Sequence, residues 1–472
     1  MSRLPLNQEL YTARLESARN FAESGKLSRS IGLVYEAYLS RVSVGSICEI
    51  RTKTGPGTED VFKAEVIGFT GNKALLMPID TPKSINNESL VNVVKSSPSI
   101  VVNDKFLGRV LNARGEFIDS LEEVEFSRDD TVQPLYSEPF DPIKRKMITE
   151  PLDLGIRSLN GLLTCGKGQR VGIFAGSGVG KSVILGMMAR NTNADVNVIA
   201  LIGERGREVR EFLERDLGEE GLSRSVIIVA TSDASPLLRM RGAYLATSVA
   251  EYFRDQGKDV LLMMDSLTRF CMAQREIGLA LGEPPATKGY TPSVFSKLPK
   301  LLERAGTTSH TGSITGLYTV LVEGDDLDDP IADSARSILD GHVVLSRKLA
   351  SRNHYPAIDV LQSASRVMSS VASREHIQAA GQVKEWMARY DEAEDLINLG
   401  AYVQGSNPAL DQAIIAHPRI QSFLKQSVGD KASFDEALGM LNSIVMAVKG
   451  QFQAPTGFDE KLTSSSNVGL NF

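Results

Sequence analysis

Eight consecutive residues near the middle of the chain have the composition and spacing of a phosphate-binding loop. They are Ala175, Gly176, Ser177, Gly178, Val179, Gly180, Lys181 and Ser182. Glycines allow the main chain to wrap a phosphate, and the helix expected after the loop would present unpaired N–H groups to it. Lys181 is predicted to reach the β- and γ-phosphates of ATP, and Ser182 to ligate Mg²⁺. The strict pattern begins with glycine, but this position needs only a small side chain, so Ala175 is compatible.

Two carboxylates follow apolar runs at positions suited to hydrolysis of a nucleotide. Asp265 closes the run DVLLMMD and is predicted to hold Mg²⁺ with Ser182, although an aspartate there could also cap the next helix. Glu204 follows the first apolar run after the loop, where its carboxylate would face the γ-phosphate and activate water. Arg205 beside it is predicted to be a structural or phosphate-side cation. The alternative for these two neighbours is a surface ion pair at the start of a helix.

The surrounding sequence predicts an α/β fold in several parts. Between about 150 and 365, apolar runs such as VNVIALIG and SVIIVAT alternate with helical segments, which is typical of a mostly parallel sheet. Short β-type runs with Gly-rich turns predict a small barrel before it, and helical sequence follows after about 370. The predicted parts are an N-terminal helix 1–25, a β-barrel 26–97, a RecA-like P-loop ATPase domain 98–370, a helical domain 371–450 and a tail 451–472.

Composition narrows the class of protein. The 472 residues carry a net charge of −6, and 42% are hydrophobic and 23% charged, which is usual for a globular enzyme. The acidic balance disfavours nucleic acid as the main partner. The three cysteines lie far apart, which argues against disulfide or zinc frameworks and fits a cytoplasmic location. The N-terminus lacks a signal-peptide core and no run is long enough to span a bilayer, so we expect a soluble protein.

Several longer motifs resemble the F1/V-type rotary ATPase subunits, and above all the type III secretion ATPases. The motifs are the phosphate loop, GERGREV, DSLTRF, EPPATKGYTPSVFSKLPKLLERAG and YPAIDVLQSASR. Two further segments, GLVYEAYLSRVSVG and GIRSLNGLLTCGKGQRVGIFAGSGVGKS, look most like the flagellar export branch of that family. The resemblance extends from about residue 27 to about residue 445.

The resemblance implies roles for particular residues. Glu204 matches the catalytic glutamate of the family, and Arg366 matches an arginine that reaches across a subunit interface to a neighbour's γ-phosphate. Such an arginine stabilises charge on the transferring phosphoryl group. Tyr355 matches the aromatic residue that stacks on adenine, and Arg269 matches an arginine near the phosphates. Because one chain carries these residues together, the implied assembly is a homohexameric ring with a potential active site at every interface.

The function implied by the resemblance is ATP hydrolysis in the flagellar type III export apparatus, where it drives release or unfolding of export substrates. The implied partners are stalk and regulator proteins, chaperone–substrate complexes and the export gate. The implied location is the cytoplasm, peripheral to the inner membrane at the flagellar base. The nearest alternative is the ATPase of a virulence injectisome. An RNA translocase of the Rho type is less favoured, because the barrel lacks clustered aromatics with Arg and Lys. A non-catalytic nucleotide-binding subunit is also less favoured, because Glu204 is present.

Overall fold

The structure is a computed structural model that describes residues 24–452, apart from residues 56, 83 and 323–327. The predicted N-terminal helix lies outside the described residues except for Ser24 and Gly25, which are part of a barrel strand instead of a helix. The predicted tail lies outside them beyond residue 452, and residues 451 and 452 end the last helix. In the part of the chain that is described, no helix has the length and apolar character needed to cross a membrane.

Antiparallel strands close into a small barrel at the start of the described chain. They are β1 (Ser24–Ile31), β2 (Val34–Tyr38), β3 (Ile47–Gly55), β4 (Thr58–Thr70), β5 (Lys73–Pro78) and β6 (Leu90–Lys95). In the order β1–β2–β5–β4–β3–β6 each strand has two neighbours, so no edge is left open to other chains. Alternating side chains such as Tyr35, Ile50 and Phe62 fill the interior. The predicted barrel is confirmed.

A larger sheet forms the centre of the molecule. The strands that follow the barrel are β7 (Ser99–Val102), β8 (Val110–Asn112), β9 (Thr131–Pro134), β10 (Pro151–Leu152), β11 (Cys165–Gly166), β12 (Arg170–Ala175), β13 (Val196–Ile202), β14 (Ser225–Ala230), β15 (Asp259–Asp265), β16 (Gly306–Thr307), β17 (Ser313–Leu321), β18 (Gly341–Leu345) and β19 (Ile358–Ser365). Not all of these strands belong to the large sheet, whose strand order is β19–β18–β12–β17–β15–β13–β14–β8. These pairs are parallel, except that β19 runs antiparallel to β18. The predicted mostly parallel sheet is confirmed.

Helices cover both faces of this sheet. They are α1 (Arg157–Leu162), α2 (Lys181–Asn191), α3 (Gly206–Glu211), α4 (Gly218–Ser223), α5 (Pro236–Asp255), α6 (Leu267–Ala280), α7 (Pro292–Leu302), α8 (Pro330–Ile338), α9 (Arg347–Ser351), α10 (Met368–Val371), α11 (Arg374–Asn398), α12 (Pro408–Leu424) and α13 (Phe434–Phe452). Every residue of β13 is buried, and its side chains alternate between two cores: Val198 belongs to one and Ile199 to the other. Burial on both faces explains why the strand is a continuous apolar run.

The C-terminal helices α11, α12 and α13 pack on the same side of the sheet as α2. Trp386 and Phe423 from these helices share a buried core with Leu185 and Met188 of α2. Phe423 also lies against Gly161 of α1, where any side chain at position 161 would collide with its ring. The predicted helical C-terminal part is therefore confirmed, and it packs on α1 and shares one core with the helix that follows the phosphate loop.

Candidate functional site

The predicted phosphate loop joins the carboxyl end of β12 to the first turn of α2. Gly178 and Gly180 have φ angles of 81° and 84°, in the left-handed region that favours glycine. Gly180 precedes α2 directly and offers no side chain to cap it, so the first N–H groups of the helix are available to an anion. The loop residues Gly176, Ser177 and Ser182 line an open cleft of about 600 Å³.

Three charged side chains meet beside this loop. The Nζ atom of Lys181, the first residue of α2, lies 3.2 Å from Glu204 Oε1 and 2.5 Å from Asp265 Oδ1. Glu204 follows the end of β13 and Asp265 is the last residue of β15, and these strands are parallel neighbours in the sheet. The side chains are only 14%, 17% and 4% exposed, so their interactions are weakly screened by water. The structure therefore brings together the predicted lysine and both predicted carboxylates.

Burial and mutual charge set the protonation of this cluster. Burial, and then the negative charge of Asp265, raise the pKa of Glu204 to about 7, although Lys181 acts in the opposite direction. Burial alone would lower the pKa of Lys181, but the charges of Asp265 and Glu204 outweigh it, and the pKa of the lysine is raised. The cluster thus contains a permanent cation beside a carboxylate that can exchange a proton near neutral pH.

The residues predicted to bind Mg²⁺ fit that role in donor type and position. Ser182 lines the cleft directly after Lys181, and the Asp265 carboxylate reaches Lys181 from the neighbouring strand end. Hydroxyl and carboxylate oxygens are the ligands that Mg²⁺ prefers. Asp265 is additionally oriented by Thr319 of β17, whose hydroxyl donates a 2.7 Å hydrogen bond to Asp265 Oδ1. The alternative prediction that Asp265 caps a helix does not describe this geometry, because Ser266 caps α6.

Arginines add positive charge to the rim of the cleft. Arg205 lines it just before α3, with an exposed side chain that pairs with Glu208 at 3.1 Å. Arg269 of α6 also lines the cleft and packs against Gly203, where a Cβ atom would lie 2.8 Å from the arginine side chain. Its Nε atom is buried and has no hydrogen-bond partner among the described residues. Both arginines are therefore placed to attract an anion, and Arg269 retains an unused donor.

A mostly apolar pocket of about 270 Å³ adjoins the phosphate cleft. Gly180 and Val183 line both spaces, so the two are continuous. Tyr355 forms one wall beside Val179, and a Cβ atom on Gly180 would lie only 3.6 Å from its ring. Tyr355 is 43% exposed, which leaves a surface for a planar group to stack on. The structure therefore places Tyr355 in the wall of an apolar pocket that adjoins the phosphate loop, and its contact with adenine stays a prediction.

Arg366 is the predicted site residue that does not join the others. It follows β19, and its main-chain N–H donates to the carbonyl of Asp340 at the start of β18. Its guanidinium donates to the carbonyl of Arg336 at 3.3 Å on the protein surface. Because β19 is antiparallel to β18, Arg366 lies at the amino-terminal edge of the parallel strands, whereas the phosphate loop follows their carboxyl ends.

Two contributors to the site were not anticipated from the sequence. Thr319 lies beside Tyr318 in the apolar run GLYTVLV, and a buried hydroxyl in such a run is a weak signal for a polar partner. The opposite wall of the apolar pocket comes from Gln426, Ser427 and Val428, in the connection between α12 and α13. Nothing in the local sequence relates that connection to a loop some 250 residues earlier, because only the tertiary fold joins them.

Comparison with known proteins matches both the nucleotide-binding part and the helical part. Residues 155–365 match the family model for the nucleotide-binding domain of the ATP synthase alpha/beta family. Residues 372–443 match the model for the C-terminal domain of the type III secretion ATPase EscN. The first match contains the phosphate loop, Glu204, Asp265 and Tyr355, and ends one residue before Arg366.

Individual relatives are similar over nearly the whole chain. The flagellum-specific ATP synthase of Bacillus subtilis is 50% identical over 431 residues, which cover 91% of this chain and 97% of that protein. The type 3 secretion system ATPase of Xanthomonas euvesicatoria is 48% identical, covering 89% of this chain and 93% of that protein. The assembled ATPase EscN of enteropathogenic E. coli, solved with its central stalk EscO, has a TM-score of 0.81 and 45% identity over 89% of this chain and 100% of that chain.

Proposed function

We propose that this chain is the ring motor of a flagellar export apparatus. The premise is its family: the chain belongs to the flagellum-specific and type III secretion ATPases of the ATP synthase alpha/beta family. The observation that carries the proposal is the contact of Lys181 Nζ with Glu204 and Asp265, directly after a glycine loop that opens a helix. This cluster supplies a phosphate-binding cation, a carboxylate for Mg²⁺ and a carboxylate for water activation in one cleft.

In the proposed reaction the triphosphate of ATP binds on the N–H groups of the loop and the first turn of α2. Lys181 then contacts phosphate oxygens instead of carboxylates, which leaves Glu204 free to orient water and accept its proton. In the nucleotide-free chain the pKa of Glu204 is already raised to about 7 by burial and by the charge of Asp265, so this carboxylate is a stronger base than an exposed glutamate. Ser182 and Asp265 would hold Mg²⁺, which neutralises charge on the phosphate oxygens when it is bound. Arg269 uses its unpaired Nε–H on the same anion.

Completion of each site requires a second copy of the chain. Arg366 lies at the edge of the sheet opposite to its own phosphate loop, so it is available to the cleft of a neighbouring subunit and not to its own. An arginine supplied in this way can raise the rate of phosphoryl transfer by about 10³–10⁵. We therefore propose a homohexamer in which Arg366 of each subunit stabilises charge in the site of the next.

The proposed partners and location follow from the relatives. EscN has been solved in an assembled form and with the central stalk EscO. For this chain we propose a corresponding stalk partner, together with regulator proteins, chaperone–substrate complexes and the export gate. The proposed location is the cytoplasm at the inner membrane of the flagellar base. The flagellar assignment is supported by the 50% identity with the flagellum-specific protein of Bacillus subtilis.

The proposal is tested by the steady-state ATPase rate per subunit, measured against protein concentration for the wild type and for Arg366→Ala. We expect the wild-type rate to climb steeply with concentration as subunits assemble, and the variant to bind ATP without appreciable turnover. A wild-type rate that is flat with concentration and equal in Arg366→Ala would leave an ATPase with a self-contained site and overturn the shared interface. Absence of any ATP turnover by the assembled wild type would overturn the enzymatic proposal itself.

A further inference from the structure

The apolar pocket next to the phosphate loop is built from two parts of the chain. Val179, Val183 and Tyr355 belong to the nucleotide-binding domain. Gln426 and its two successors form the facing wall and belong to the connection between α12 and α13. The shape of the pocket therefore depends on how firmly this connection is held against the nucleotide-binding domain.

The side chain of Gln426 makes three of the hydrogen bonds that hold this connection. Its Oε1 atom accepts a 3.0 Å hydrogen bond from the main-chain N–H of Arg157, at the start of α1. Its Nε2 atom donates to the carbonyls of Gly155 at 2.8 Å and Asp430 at 3.1 Å. Only 4% of Gln426 is exposed, and its bond to the carbonyl of Gly155 is fully buried, so at least this bond is made out of contact with bulk water. An amide is the side chain that combines such an acceptor with two donors.

The same residue is also bonded to the base of the proposed adenine platform. The main-chain N–H of Gln426 donates a 3.0 Å hydrogen bond to the carbonyl of Tyr355. The rest of the connection is fixed around it: Ser427 N–H donates to Asp430 Oδ2 at 3.0 Å, and Arg190 of α2 donates to the carbonyl of Val428 at 3.1 Å. Gln426 is thus the point at which α1, Tyr355 and the α12–α13 connection are joined.

We propose that Gln426 is a positioning residue for recognition of the nucleotide base. It fixes the wall of the pocket and the main chain of Tyr355, so that the base binds between two preorganised surfaces without an ordering penalty. Loss of its side chain leaves the buried carbonyl of Gly155 unpaired and removes the bonds to Arg157 and Asp430, which favours release of the connection from α1. The inference rests on the proposed function, because it takes Tyr355 as the platform for the base of ATP.

The test compares a ligand that contains a base with one that lacks it. Binding of ADP and of tripolyphosphate, both with Mg²⁺, is measured by titration calorimetry on the full chain for the wild type and for Gln426→Met. We expect the affinity for ADP to fall about tenfold or more, equivalent to one or two lost hydrogen bonds, and the affinity for tripolyphosphate to stay unchanged. In turnover assays the KM for ATP should rise while kcat at saturation is retained.

A matched control lies at the amino-terminal end of β12. Gln169 is also fully buried, with Oε1 accepting from Gly166 N–H and Nε2 donating to the carbonyl of Asp340 and to Ser365. Gln169→Met should therefore lower the melting temperature without changing the affinity for ADP. Should Gln426→Met fail to fold by circular dichroism, Gln426→Asn keeps an uncharged amide that is one methylene too short to reach all three partners, and it carries the same expectation.

The outcomes separate this inference from the proposed function. Equal weakening of ADP and tripolyphosphate in the Gln426 variant, or no change in either, would overturn the positioning role. If Tyr355→Ala weakens ADP binding and the Gln426 variant does not, the base pocket stands and only the inference about Gln426 fails. If Tyr355→Ala leaves ADP binding unchanged, the pocket is not the base site, and both the inference and that part of the proposed function fail.

Discussion

Arg366 and Lys181 lie at opposite ends of the strands of the same parallel sheet. The N–H of Arg366 donates to the carbonyl of Asp340, whose own N–H donates to the carbonyl of Arg170, the first residue of β12. Lys181 begins the helix that follows the other end of β12. The strand has six residues, which at a rise of about 3.3 Å each separates its two ends by roughly 16 Å. One arginine side chain cannot cover that distance to its own cleft.

This separation predicts complementation between two inactive variants. The Arg366→Ala variant should keep an intact cleft but lack the arginine that completes the cleft of its neighbour. The Lys181→Ala variant should keep Arg366 but lack a working cleft. Random mixing of equal amounts pairs an intact cleft with an intact arginine at about a quarter of the interfaces. We therefore expect ATPase activity in the mixture to recover to about a quarter of the wild-type rate, measured by phosphate release at a concentration where the wild type is assembled.

The control for this mixture is each variant alone at the same total concentration. A combination that should not complement is Lys181→Ala with Glu204→Gln, because both changes fall in the same cleft and leave no interface with a complete site. Recovery in that second mixture, or none in the first, would contradict the assignment of Arg366 to the neighbouring subunit.

The parts of the fold that could be predicted are those with a local physical cause. Strands β12, β13, β14, β15 and β17 are buried on both faces, so each is a continuous apolar run that stands out in the sequence. Strand β19 is missing from the predicted runs because it is an edge strand, and five of its eight residues are partly or fully exposed. Strand β8 has three residues, too few to show a period.

The candidate site divides in the same way. The phosphate loop is predictable because its glycines, lysine and serine are adjacent in sequence. The wall at Gln426 and the support of Asp265 by Thr319 arise from contacts between elements distant in sequence, and no periodicity or spacing indicates them. The position of Arg366 away from the cleft depends on the antiparallel direction of β19, which the sequence does not show.

Substitution Glu204→Gln should separate binding from hydrolysis. Glutamine preserves the size and much of the polarity of the side chain but cannot accept a proton from water at neutral pH. We expect ATP to bind with affinity equal to or better than that of the wild type, and kcat to fall by about 10²–10⁴. Single-turnover measurements with labelled ATP distinguish this loss of chemistry from slow product release, and retention of more than a tenth of wild-type kcat would contradict the catalytic role.

The same substitution should also stabilise the nucleotide-free protein, and more at high pH than at low pH. The pKa of Glu204 is about 7 in the folded chain, because of burial and the charge of Asp265, against an ordinary value of 4.5. Ionisation of this carboxyl therefore opposes folding, by an amount that is absent below pH 4.5 and complete above about pH 7. After allowance for partial solvent screening we expect a difference on the order of 1 kcal/mol, or about 1–2 °C in melting temperature, at pH 8.

Scanning calorimetry at pH 5 and pH 8 measures this effect. The control is Glu436→Gln in helix α13, because hydrogen bonds from the main-chain N–H and the hydroxyl of Ser433 lower the pKa of Glu436 in the folded chain. Its carboxylate therefore favours folding, and its loss should change the melting temperature in the opposite direction at pH 8. A lower melting temperature in Glu204→Gln at pH 8 would contradict the raised pKa.

Thr319→Val should weaken the use of Mg²⁺ while leaving the fold intact. Valine has the same shape as threonine but cannot donate the 2.7 Å hydrogen bond to Asp265 Oδ1. Loss of one hydrogen bond to a charged group is worth about 1.5–3 kcal/mol, so we expect the Mg²⁺ concentration for half-maximal ATPase activity to rise at least about tenfold. Thr319→Ser keeps the hydroxyl, so its Mg²⁺ concentration for half-maximal activity should stay close to that of the wild type. Identical Mg²⁺ dependence of the two variants would argue against positioning of Asp265 by Thr319.

Gly186→Ala should displace the helix that carries Lys181. A Cβ atom on Gly186 of α2 would lie closer than 3.0 Å to main-chain atoms of Asp216, in the π-helical turn Phe212–Leu217 that links α3 to α4. Overpacking of this kind destabilises by about 1–3 kcal/mol, and the shift of α2 should also weaken ADP binding.

Gly381→Ala in α11 is the matched control, because no atom lies within 4 Å of the added methyl group. There alanine should stabilise by about 0.5–1 kcal/mol through its higher helix propensity. Thermal unfolding and ADP titration of both variants measure the contrast, and a Gly186→Ala protein as stable and as tight-binding as the wild type would show that α2 does not depend on its close approach to Asp216.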